Sequence, residues 1–130
     1  MNARAAAALA FLSLLATSSM ARAEAHEVLA SRNAVWVDGE VHWQGRKVTS
    51  PIAWSDRGDA FAFAAVDQRG RARLVVVVVQ EGFEPATFSW PISAAARPAR
   101  AVTWLGETRV GAGPSVLEPR MIAEFTLATP

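Results

Sequence analysis

The chain has no cysteine and no tyrosine, and among 130 residues it has two histidines and a single lysine, Lys47. Without cysteine there are no disulfide staples, although small exported domains often rely on them. The same absence excludes thiol nucleophiles, thiolate metal sites and anchoring through a lipidated N-terminal cysteine. Two histidines leave little room for a nucleophile–base pair, and Ser55, Ser89 and Ser115 lack the G-x-S-x-G frame of a nucleophile elbow. No glycine-rich loop leads into a helix, so no phosphate cradle is expected. Long apolar runs are also missing after the N-terminus. The longest, Leu74 to Val79, has the length of a strand and is far short of a bilayer span. No segment keeps a 3.6-residue apolar period.

What is present begins at the N-terminus. Arg4 is followed by the apolar stretch Ala5 to Ala16 and by the small, polar Thr17 to Ala23, which ends Ala-Arg-Ala. This three-part order predicts a cleavable secretory signal over residues 1–23, cut between Ala23 and Glu24. Ala23-Glu24-Ala25 also satisfies the small-x-small rule, and a cut there would make His26 the first residue. The chain is expected in the periplasm or outside the cell, with residues 24–130 forming one domain. Loss of Arg4 and Arg22 turns the formal charge of +1 into −1. That balance argues neither for nucleic acid nor for an anionic membrane.

The remainder reads as strands. Ala34–Val37 and Glu40–Trp43 flank Asp38-Gly39, which suits a two-residue type I′ turn. Regular pairing would put Ala34, Trp36, Val41 and Trp43 on one apolar face, and Val35, Val37, Glu40 and His42 on a mixed one. A second hairpin is expected from residues 60–66 and 73–80 around Asp67-Gln68-Arg69-Gly70. Its Leu74–Val79 strand has no polar face and should be central and covered on both sides. Further alternation marks strands at Phe88–Ile92, where Pro91 makes the strand an edge or ends it, at Val102–Trp104 and at Met121–Leu127. Ser93 to Arg100 could form a helical turn, and Gly111 to Pro119 reads as a loop. The fold class is all-β: a small antiparallel β-sandwich or open barrel of about seven to eight strands, with two stacked propeller-blade-like sheets as the alternative.

Residues 50–76 carry one resemblance. Trp54-Ser55, the turn glycine Gly58 and the pair Ala62-Phe63 after Phe61 resemble the repeat of TolB-type, WD40-like β-propellers. Gly70 and Leu74-Val75-Val76 stand where that repeat places its next turn and strand. The departure is Asp56-Arg57 where the family has Pro-Asp. The resemblance implies blade-like strand pairing over this segment, although residues 24–130 are too few for a closed propeller from one chain.

Few residues offer chemistry. An N-terminal His26 paired with His42 would be a copper brace, the one metal site the sequence suggests. Asp56, Asp59 and Asp67 read as turn-capping carboxylates, without the spacing of a calcium loop. Arg57-Gly58-Asp59 falls where a turn is expected anyway. The tryptophans at 36, 43, 54, 90 and 104 are expected mostly in the core, with one or two left to rim a surface. No cofactor motif is found. The sequence therefore predicts an exported, non-enzymatic protein that binds another protein or an envelope component, without nucleic acid and without an integral membrane segment. A copper-binding protein and a glycan-binding accessory module are the alternatives.

Overall fold

Two strands organise the molecule because they are apolar on both faces. In the computed structural model, which describes residues 26–92 and 99–127, β6 (Ala60–Val66) and β7 (Ala72–Val78) pair antiparallel from Ala60↔Val78 to Val66↔Ala72. Phe61, Phe63, Leu74, Val75, Val76 and Val77 are completely buried. The turn between the strands is tied by Asp67, whose carboxylate accepts from the Arg69 and Arg71 backbone N–H groups, with Gly70 at φ 81°.

These strands lie inside a five-stranded sheet. β8 (Ala86–Pro91) pairs with β7, while the short β4 (Lys47–Val48) and β5 (Ala53–Trp54) pair in turn with β6. A three-stranded sheet covers each face. One holds β1 (Val28–Ala30), β2 (Ala34–Val37) and β3 (Glu40–Gln44); the other holds β9 (Ala101–Trp104), β10 (Arg109–Gly113) and β11 (Met121–Glu124). All pairings are antiparallel and no sheet closes into a barrel. The result is an all-β sandwich of three stacked layers, with eleven strands among the described residues, more than the seven to eight expected. No helix occurs among the described residues.

Side-chain size along β6 explains why both covers fit. Phe61 and Phe63 point toward the first sheet, which answers with the smaller Val35 and Val37. Ala60, Ala62 and Ala64 point toward the third sheet, which fills the space with Phe125, Val110 and Val102, helped by Phe88, Trp90 and Trp104. The Trp104 and Phe125 rings meet edge-on at 5.9 Å. Large residues thus oppose small ones across both interfaces, as dense packing requires.

Two expectations are corrected. The first hairpin turns at Asp38 (φ 52°) and Gly39 (φ 83°), and Val37↔Glu40 and Trp36↔Val41 pair as expected. A β-bulge then follows: Val35 pairs with Trp43, not with His42. The extra residue puts Trp43 on the buried side with Val35, its ring 5.5 Å from that of Phe63. Trp36 and Val41 remain on the outward side. Trp36 and Trp43 therefore do not share a face. Secondly, the expected loop Gly111 to Pro119 begins as strand, because its first three residues belong to β10 (Arg109–Gly113). This is the middle strand of the third sheet, with Val110 and Ala112 in the core. Its glycines serve close approach. A Cβ on Gly113 would lie 2.1 Å from the Glu118 carbonyl oxygen, and one on Gly111 would lie 2.6 Å from Pro119, because residues 114–119 fold back over the outer face. The expected signal segment 1–23, its cut at Ala23–Glu24, and residues 93–98 of the expected helical turn lie outside the described residues.

Candidate functional site

The Asp38-Gly39 turn projects His26, Asp38 and the nearby bulge residue His42 from one end of the first sheet. Asp38 tolerates the left-handed backbone that the turn demands because its short carboxylate bonds locally. Its Oδ1 accepts from the Glu27 backbone N–H at 2.8 Å, and its Oδ2 accepts from His26 Nδ1 at 2.7 Å. Partial burial pushes the Asp38 carboxyl up. The Glu27 N–H, the His26 hydrogen bond and the charges of His26 and His42 outweigh this and hold it below the ordinary carboxylate value. The His26 side chain is thus fixed through Asp38 and only 18% exposed. Both histidines act on one carboxylate. Even so, no group of three or more potential metal ligands occurs among the described residues.

Beside this turn lies an open cleft of about 420 Å³, lined by Val37, Asp38, Glu40 and the segment Gly82–Pro85. Its walls are acidic, with Phe83 as the aromatic contribution. The sequence does not mark it, since residues 82–85 show no periodicity and meet Glu40 only through the sheet stacking.

The blade-like residues form a structural unit. Trp54 packs on Phe61 with ring centroids 5.1 Å apart. Ser55 is buried, donates from Oγ to Asp59 Oδ1 at 3.1 Å, and accepts the Gly58 N–H at its carbonyl. Gly58 has φ 75°, as a turn glycine at this position requires. Phe61, Ala62 and Phe63 are core. Arg57 reaches across to Glu107 in an exposed ion pair. Of the tryptophans, 43, 54, 90 and 104 pack against the two cores. Trp36 faces outward.

The two ends of the stack differ in charge. At the Asp38 end lie Glu27, Glu40, Asp56, Asp59, Glu81, Glu84 and Glu107, with Arg57 and Arg109 among them. At the opposite end lie Arg32, Arg46, Lys47, Arg69, Arg71 and Arg73, joined by Arg100 and Arg120, with Asp67 and Glu118 as the acidic members. The ion pairs found among the described residues, His26–Asp38 and Arg57–Glu107, both belong to the acidic end. At the basic end, Arg73 Nε donates to Ser89 Oγ at 2.8 Å, and the Arg46 guanidinium lies against Gly70. The segregation follows from antiparallel connectivity. Successive turns fall at alternate ends, and along this chain acidic and basic turns alternate in step.

Exposed aliphatic side chains gather on the outer face of the third sheet: Leu105, Val116, Leu117 and Ile122, with Leu117 at 87% exposure. The 114–119 segment that carries two of them is anchored by Thr103 Oγ1, which donates to the Val116 carbonyl at 2.9 Å, and by the Arg120 N–H on the Ala112 carbonyl. No protein family matches the chain, and neither a curated protein nor a solved structure does so.

Proposed function

We infer that the chain is an exported, non-enzymatic binding protein of the cell envelope. The observation that carries the binding half of this reading is the outer face of the third sheet, which holds Leu105, Val116, Leu117 and Ile122, four of the five exposed large aliphatic side chains among the described residues, with Val41 as the fifth. Contiguous exposed apolar surface of this kind marks interaction sites. The export half rests on residues 1–23, with their basic start, apolar middle and Ala-Arg-Ala end. The four successive antiparallel strands β5 to β8 support a relation between this segment and a propeller blade, a fold element used as a binding scaffold. Fusing residues 1–30 to a reporter enzyme active only outside the cytoplasm tests the export half: activity is expected, and a silent fusion overturns it. For the binding half, the double variant Leu117→Ser, Ile122→Ser should keep the melting temperature and lose association with the envelope fraction. Unchanged association would overturn that assignment.

A further inference from the structure

We propose that the basic end of the sheet stack docks on anionic phospholipid headgroups while Val116 and Leu117 enter the acyl boundary. This deepens the envelope-binding reading by naming the component. The first observation is electrostatic. Arg46, Lys47, Arg69 and Arg71 are exposed and have no ion pair among the described residues, and Arg100 and Arg120 extend the cationic field to the third sheet. Of the acidic groups at this end, Asp67 is engaged with backbone N–H groups of its own turn. Glu118 lies in the 114–119 loop. The near-zero net charge hides this field, because the compensating carboxylates sit at the far end of the strands. A field of this polarity also orients the molecule, cations toward an anionic surface and acidic end away from it.

The second observation is independent of charge. The 114–119 loop leaves β10 at Gly113, at the basic end, beside the Arg100 N–H bonded to the Gly113 carbonyl. It then folds back over the outer face of the third sheet next to that end, where it presents Val116 at 55% and Leu117 at 87% exposure. Leaving two adjacent aliphatic side chains in water is unfavourable; placing them in the acyl boundary removes that cost and adds to the headgroup attraction. A nucleic acid or a sulfated polysaccharide would use the cations and gain nothing from these aliphatics. The exposed aromatic that base stacking would favour is absent from this end among the described residues, since Phe83 lies at the acidic end.

The test is co-sedimentation of the protein with vesicles of phosphatidylcholine alone or of phosphatidylcholine mixed with the anionic phosphatidylglycerol. Binding is expected to the anionic vesicles only and to fall with added salt. The triple variant Lys47→Gln, Arg69→Gln, Arg71→Gln should bind roughly 100-fold more weakly, about fivefold per cation. Leu117→Ser, which changes no charge, should weaken vesicle binding and leave binding to heparin, a soluble polyanion probe, unchanged. An unshifted thermal midpoint establishes that both variants are folded. Absence of vesicle binding, equal binding to neutral vesicles, or vesicle binding indifferent to Leu117→Ser overturns the proposal; the last would assign the end to soluble polyanions. These outcomes leave the export reading intact, which fails separately if the silent reporter described above is found.

Discussion

Replacing Trp43 with alanine should cost about 3 kcal/mol of stability, because its ring packs edge-on against the fully buried Phe63. The same change at Trp36, on the outward side of the first sheet, should cost under about 1 kcal/mol. Urea unfolding of the two variants measures the difference, and equal losses would contradict the bulge at His42. Alternation alone puts both rings on one face; one extra residue separates them, and nothing in the sequence marks where a bulge falls. The turn itself was legible, since Asp38-Gly39 meets its backbone demand directly. Asp38 also carries a pH signature. Its folded pKa lies below its ordinary value. The stability it contributes is therefore fully present above the unfolded pKa of about 3.9 and is lost as pH falls through the lower folded value. Asp38→Asn keeps the shape and removes the titration. Its stability should decline less than that of the parent protein between roughly pH 4 and pH 2, as followed by chemical denaturation across that range.

Among elements, β6 and β7 were legible because their pattern admits one solution: a strand apolar on both faces needs a cover on each. The number of strands was not, because β1, β4 and β5 are only two or three residues long. β10 was hidden for a different reason. Glycine disfavours strand conformation on average, yet Gly111 and Gly113 stand where residues 114–119 press against the sheet. Gly113→Ala should therefore dislodge that segment. A destabilisation of about 1–3 kcal/mol is expected, with faster proteolysis confined to residues 114–119. Resistance equal to that of the parent protein would show that the segment does not rest on Gly113.

At the scale of the whole molecule, the charge separation arises from counting turns. Each antiparallel connection sends the next turn to the other end, so acidic and basic turns that alternate in sequence sort to opposite ends in space. The charges were visible in the sequence. The sorting was not, because missing β10 breaks the count after Trp104 and because residues 45–54 show no alternation that divides them into strands. The acidic cleft escaped for the same reason, as Glu40 and Gly82–Pro85 come from different layers. Within the account, the fold supplies a rigid stack, the two ends supply polarity and the third sheet supplies an exposed aliphatic face.

All of this has a role in the envelope only if the protein reaches it. The most direct measurement is the intact mass of the protein recovered from the extracytoplasmic fraction of expressing cells. A single species beginning at Glu24 is predicted, corresponding to loss of Met1 to Ala23. A protein found only in the cytoplasm with Met1 to Ala23 attached would contradict the central claim.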